Sequence, residues 1–318
     1  MEVERRVWIR GIWEVLKEIL LQKLKTYHLR SSPVLLQPHL SGLNVIVTGA
    51  TSGIGLHTAR ELASAGANVV MACRNVVAAN EIAEQWRAEA QGGRSLNVKV
   101  MELDLLSLAS VRQFAEEWHK LLKPLHVLIN NAGILRTGEK QQFSKDGIEQ
   151  HVQVNHVAPA LLTLLLLPSL CTPSSSRVVN VSSLAHHWGV VGSGYWKSRI
   201  EEHQFSGMTA YGSSKLLNLM FLKALAHNLL DQHKTSIQCV AVHPGIVTTN
   251  LAPGLQRKAF WMFDPSEGAR SVLHCATSSD LVDNMVGVLH TTPATVDLLK
   301  CHPKQTMWSL VCMFGRTH

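Results

Sequence analysis

The run Leu43-Asn44-Val45-Ile46-Val47-Thr48-Gly49-Ala50-Thr51-Ser52-Gly53-Ile54-Gly55 joins a short β-branched stretch to three glycines, and a helical pattern follows it. A strand, a glycine turn and a helix N-terminus in that order make a seat for a pyrophosphate. Glycine lets the backbone approach closely, while unpaired N–H groups and the helix dipole face the anion. Thr48, Gly49, Ser52, Gly53, Ile54 and Gly55 are therefore candidate binding residues. Their spacing, T-G-x-x-x-G-x-G, differs from the better-known G-x-G-x-x-G.

Outward from this turn, apolar runs alternate with helical stretches. Further strands are expected at 68–72, 97–101, 125–129, 177–181 and 237–242, and helices at 54–65, 76–90, 108–121, 145–169, 209–232 and 265–277. Such alternation implies an α/β fold, a single doubly wound Rossmann-type domain whose parallel sheet is covered by helices on both faces. It spans 41–280, with no linker and no internal repeat.

Of the 318 residues, 46% are hydrophobic and 17% charged, a balance that excludes a disordered or filamentous chain. The net charge of +7 is scattered without a basic block, which argues against nucleic acid as a partner. Six cysteines lie far apart with no C-x-x-C pair, so neither a zinc knuckle nor a disulfide framework fits, and a reducing compartment is expected.

Residues 1–40 form a separate arm. Trp8, Ile9, Ile12, Trp13, Leu16, Ile19 and Leu20 recur at helical spacing among Arg5, Arg6, Arg10 and Lys17, the pattern of an amphipathic helix. Charges interrupt it too often for a membrane span, and signal-peptide features are missing, so an intracellular protein is expected, cytoplasmic or peripheral to a membrane. The arm is expected to pack on its own domain. The alternative is peripheral membrane contact through residues 1–30, since two tryptophans and net positive charge suit an anionic interface.

The end of the second strand reads Val70-Met71-Ala72-Cys73-Arg74-Asn75. A site for NAD usually places an acid here for the ribose hydroxyls; this chain has none, and Arg74 can fork onto a 2′-phosphate instead. NADP(H) is thus expected over NAD(H).

Tyr211 and Lys215 stand four residues apart at the start of an apolar helical segment, so they share a helix face. The ammonium is expected to favour the ionised phenol and make it a usable acid/base. Ser182-Ser183 closes the fifth strand, where ligands sit in doubly wound sheets.

With these residues in order, the chain resembles the short-chain dehydrogenase/reductase family over about 43–280. The resemblance implies that Gly49, Gly53 and Gly55 are its phosphate turn, Asp104-Leu105 its adenine contact, and Asn131, Ala132 and Gly133 part of its N-N-A-G element. It implies Ser183 more than Ser182 as catalytic serine, with Tyr211 and Lys215 as its Y-x-x-x-K pair. Pro244, Gly245, Val247 and Thr249 belong to the P-G segment that holds the nicotinamide amide. Asn155 resembles the fourth member of the Asn-Ser-Tyr-Lys set. Pro159, four residues on, has no N–H to give, so the Asn155 carbonyl is expected to be free to hold a water relaying protons to Lys215; the alternative is that Pro159 only kinks the helix.

Ser183 and Tyr211 lie 28 positions apart, further than in compact members, so extra chain is expected beside the site. With Gln153-Val154-Asn155-His156, this resembles the branch of retinol-dehydrogenase-like and WW-domain oxidoreductases, and within it the plant Forever young subgroup. That implies a lipophilic small-molecule alcohol or carbonyl substrate. It implies no metal, and His186 and His187 are read as loop residues. A homo-oligomer is also possible in such a family. Residues 281–318 match nothing familiar and form a divergent C-terminal segment. The competing reading is a regulatory or scaffold protein that binds cofactor with little turnover.

Overall fold

The computed structural model describes residues 40–90, 96–191, 198–228, 237–249, 251 and 262–278, five residues of the arm (Ile9, Ile12, Trp13, Leu16 and Lys17), and the pairs 288–289 and 296–297. Six strands, β1 (Asn44–Thr48), β2 (Asn68–Cys73), β3 (Val98–Glu102), β4 (Val127–Asn130), β5 (Ser176–Val181) and β6 (Ile237–Val242), form a parallel sheet in the order β3-β2-β1-β4-β5-β6. Two short strands from the C-terminal segment, β7 (Val288–Leu289) and β8 (Val296–Asp297), extend it; reading of the sequence did not identify them. β7 runs parallel to β6, and β8 antiparallel to β7.

Alternation along each strand divides the core in two. Val45, Val47, Val69 and Met71 face one side of the sheet, where they meet α1 (Gly53–Ser64), α2 (Val76–Glu89) and α6 (Pro265–Thr277). Ile46, Val70 and Ala72 face the other, against α3 (Leu108–Lys120), α4 (Gln150–Leu170) and α5 (Gly207–Asn228). Strands covered on both faces need apolar residues at every position, which is why they read as unbroken runs. On α3, Val111, Phe114, Ala115 and Trp118 make the i, i+3, i+4, i+7 stripe that packs inward. Burying Phe114 and Trp118, each about 1% exposed, contributes roughly 1.5–3 kcal/mol apiece. The helix starts are capped as their sequences suggest: Asn75 accepts from Ala78 N at 3.0 Å, Ser107 accepts from Ser110 N at 3.2 Å, and Asp264 with Glu267 forms a capping box.

α4 is the most apolar helix and long enough by composition to cross a membrane, yet 72% of that window is buried inside the protein, which makes it a core helix. Its start corrects the expected 145–169. Gly147, at φ +74°, closes a turn with its N–H on Ser144 O, and Phe143 bridges Glu149, so the helix begins only at Gln150. Within α4, Gln153–Val157 is a π-helical turn in which Ala158 N–H reaches Gln153 O. Pro159 withholds one amide, and the widened turn accommodates the loss with the helix carrying on to Leu170.

The crevice lies where β1 and β4 are neighbours and the chain winds away on either side. Ligands bind at this switch point, outside the carboxyl ends of the strands.

Candidate active site

On one wall stands the glycine turn. Gly53 adopts φ +56°, which a side chain would resist, and Gly55 approaches so closely that a Cβ would overlap Gly49 O and Asn131 Nδ2. Ser52 is the N-cap of α1 but its side chain makes no cap bond, which leaves the first amides of the helix open to an anion. Thr48 ties the turn to the next loop: its hydroxyl accepts from Asn131 N and Ala132 N, each at 3.0 Å, while Asn131 Nδ2 donates to Thr48 O at 2.9 Å. Thr249 comes to the far side, its Cγ2 3.4 Å from where a Gly53 Cβ would lie, so the segment after β6 closes over the turn. Within that segment Gly245 has φ +86°, and Val247 bridges Phe263. Ile54 packs on the core beside the turn.

At the end of β2, Cys73 is buried and burial pushes its thiol up to about 11, while Arg74, which follows it, is exposed. After β3, Asp104 Oδ1 accepts from Leu106 N at 3.0 Å and Asp104 N donates to Ser110 Oγ at 3.0 Å, which shapes the loop around the buried Leu105.

The other wall is made of side chains. Tyr211 is 4% exposed and its phenol lies beside the Ser183 hydroxyl; Ser183 also caps a 3-10 helix, Leu184–Trp188, by accepting from Ala185 N at 3.2 Å. Ser182, by contrast, is turned into the protein, and its buried hydroxyl finds no partner among the described residues. His186 and His187 sit on that 3-10 helix and not in a loop. Lys215 Nζ donates to Val181 O at 2.8 Å and lies 5.6 Å from the centre of the Tyr211 ring. Asn155 Nδ2 donates to Ser214 Oγ at 3.0 Å and to Ile134 O at 2.9 Å, and its Oδ1 accepts from Ile134 N at 2.7 Å. A Cβ on Gly133 would touch Asn155 Oδ1 at 3.2 Å and Lys215 Nζ at 3.5 Å, so the N-N-A-G loop lies directly against this pair. Asn155, Ser183, Tyr211 and Lys215 thus converge from α4, the loop after β5, and α5.

Two expectations are corrected here. The Asn155 carbonyl is not left free by Pro159, because Asn218 Nδ2 donates to it at 2.6 Å. The Tyr211 phenol is not lowered by its neighbour either. Burial pushes it up to about 12, the Ser183 hydroxyl acting in the opposite direction, and burial pushes Lys215 down to about 8. Desolvation disfavours each charged form, and at this depth it outweighs their mutual help.

Reading of the sequence missed Ser214 and Asn218. A signal was present: Tyr211, Ser214, Lys215 and Asn218 follow i, i+3, i+4, i+7 spacing, one polar stripe on an otherwise leucine-rich helix.

Residues 43–259 match the short chain dehydrogenase family. The chain belongs to that family. It is 46% identical over 283 residues to the Arabidopsis thaliana dehydrogenase/reductase SDR family member FEY, covering 86% of this chain and 74% of that one. It is 41% identical over 251 residues to human retinol dehydrogenase 12, covering 76% and 75%. Among solved structures, the NADPH-bound carbonyl reductase from chicken fatty liver shares the fold with a TM-score of 0.60 at 22% identity, covering 79% of this chain and 97% of that one. The chain is therefore an oxidoreductase of this family.

Proposed function

We propose that this oxidoreductase uses NADP(H) in preference to NAD(H) and interconverts an alcohol and a carbonyl on a lipophilic small molecule. The substrate class rests on one observation: Tyr211 sits in an apolar cluster with Leu135 and Ala185, against which Trp188, Met208 and Leu251 pack. Such surroundings favour apolar substituents on the reacting carbon and leave few partners for a polar substrate. The preference for the 2′-phosphate rests on Arg74 following Cys73 where an acid would repel it.

The glycine turn and the open start of α1 fit a pyrophosphate, and the cofactor would be held by Thr48, Gly49, Ser52, Gly53, Ile54, Gly55, Arg74, Asp104 and Leu105. Asn131, Ala132, Gly133, Pro244, Gly245, Val247 and Thr249 would complete the seat, with Lys215 and Tyr211 at its inner end. When bound, the nicotinamide exchanges a hydride with the substrate carbon. Tyr211 exchanges the proton with the substrate oxygen, and with its phenol raised it carries that proton at neutral pH. Ser183 holds the same oxygen by a hydrogen bond. Lys215, kept beside the phenol by Val181 O, offers positive charge as the phenol loses its proton. Asn155 holds the loop and the helix against each other around them.

Aldehydes, ketones and alcohols of increasing chain length, assayed with NADPH, NADH and their oxidised forms, test this reading. Catalytic efficiency should rise with chain length and favour the phosphorylated cofactor. Preference for short polar carbonyls would overturn the substrate class.

For the arm, the reading as a peripheral membrane contact, the alternative to packing on the domain, is supported by the exposure of its described apolar residues. Ile9, Ile12, Trp13 and Leu16 are 47–66% exposed, and the sequence of the arm also carries Arg5, Arg6, Arg10 and Lys17. Intact protein should co-sediment with anionic liposomes in low salt and be released by removal of residues 1–38. A protein that stays in the supernatant would remove this contact.

A further inference from the structure

The segment that follows the N-N-A-G loop, Ile134-Leu135-Arg136, has no neighbouring strand among the described residues. Its backbone is held instead by two side chains of α4. Asn155 takes both the N–H and the C=O of Ile134, at 2.7 and 2.9 Å, and His151 Nε2 accepts the N–H of Arg136 at 2.9 Å. His151 and Asn155 are one helical turn apart, and Ile134 and Arg136 are two positions apart, the spacing that puts both backbone groups on one side of an extended chain. Leu135, between them, has its side chain in the cluster around Tyr211.

The bond from Arg136 N–H requires a lone pair on Nε2, so the ring is neutral and its proton sits on Nδ1. Glu149 secures that form. Its Oε1 lies 2.7 Å from His151 Nδ1, and its Oε2 accepts from Val152 N–H at 3.0 Å at the start of α4. Both side chains are buried, at 3% and 1% exposure, so no water competes for these bonds. On the opposite side, a Cβ at Gly207, the first residue of α5, would overlap Arg136 O, which shows how closely the segment is pressed between the two helices.

We propose that His151, held as its Nδ1–H tautomer by Glu149, is a positioning residue that sets the depth of the substrate pocket by fixing Arg136 and thereby presenting Leu135 to Tyr211. The inference rests on the reading of Tyr211 as the proton-exchanging group. It goes beyond that reading in assigning chain-length selectivity to a buried pair that does not line the pocket.

Two variants of like chemistry separate the geometry from bulk. In His151→Gln the amide oxygen reaches the place of Nε2, whereas in His151→Asn it reaches only that of Nδ1. Against decanal with NADPH, His151→Asn should raise KM by about 10-fold with kcat changed by less than about 3-fold, while butanal kinetics move by less than about 2-fold. His151→Gln should restore decanal KM to within about 3-fold of the parent, and Arg136 amide exchange should be about 10-fold faster only in His151→Asn. The 15N ring signals of His151 in the unaltered protein should show a protonated Nδ1 and an unprotonated Nε2. A protonated Nε2, or equal behaviour of the two variants, would overturn the proposal. Tyr211→Phe serves as the control: if it turns over decanal normally, the reading of Tyr211 fails, while the ring signals and amide exchange still decide the role of His151.

Discussion

Where β1 runs into α1, the groups facing the crevice are backbone amides, carried on a turn that tolerates no Cβ at Gly55. Across the crevice, where β4 and β5 meet α4 and α5, they are buried side chains joined in a network: Asn155 to Ser214 and Ile134, Ser214 to Tyr211 O, Asn218 to Asn155 O, Lys215 to Val181 O. The first wall offers shape and dipole to an anion, so its parts cannot be exchanged for other residues without moving the chain. The second wall works by chemistry, and its parts can be removed singly at the cost of leaving partners unsatisfied.

The contrast predicts opposite signatures. Tyr211→Phe, on the side-chain wall, should cost at least ~100-fold in turnover, the size of a general acid/base contribution, with cofactor affinity retained. Near-normal rates would take Tyr211 out of the mechanism. Gly55→Ala, on the backbone wall, should do the reverse. The turn must shift to admit the methyl, so both NADPH and NADH should bind about 10- to 100-fold more weakly, with a lower melting temperature, as overpacking costs about 1–3 kcal/mol. Unaltered affinity for both would mean that the turn is not the pyrophosphate seat.

Arg74→Ala tests a side chain that belongs to the backbone wall. A charge-assisted contact to the 2′-phosphate is worth on the order of 1.5–3 kcal/mol, so NADPH affinity should fall roughly 10- to 100-fold and NADH affinity should stay. Equal losses would show that Arg74 does not read the phosphate.

The last effect is a pH dependence of stability. The Lys215 amine titrates at about 8 in the fold against its ordinary 10.5, so the buried ammonium costs on the order of 3 kcal/mol below pH 8. Between pH 8 and 10.5 the unfolded chain binds the extra proton and the folded one does not; stability from this group therefore rises with pH across that window. Lys215→Met lacks this group, so the melting temperature of the parent should gain on that of the variant as pH goes from 7.5 to 10. A constant gap would mean that Lys215 is not desolvated as its burial indicates.

The two walls also differed in how far they could be read beforehand. Glycines and strand runs are local signals: Gly49, Gly53 and Gly55 follow β1 within a few residues, and the strands from Asn44 to Val242 carry their own apolar pattern because both sheet faces are covered. The partners on the other wall come from segments far apart in the chain, Asn155 with Asn218 and Tyr211 with Ser183, so no spacing announces their contacts. The charge effect of Lys215 on Tyr211 was misjudged for the same reason. Four residues on a helix define proximity, whereas the depth of burial that raises the phenol is a property of the packed whole.

The α/β alternation, the glycine turn after β1, and the residue types proposed for the anion seat and the reacting centre could thus be read from sequence alone, because each depends on conformation and chemistry within a few neighbouring positions. The tertiary structure alone decided that Ser183 and not Ser182 faces Tyr211, that Asn218 takes the Asn155 carbonyl, and that Glu149 and His151 hold Arg136. Each is a choice between hydrogen-bond partners in a dry interior. Such choices are made by whichever group the folded chain brings within about 3 Å, and no local rule supplies that distance.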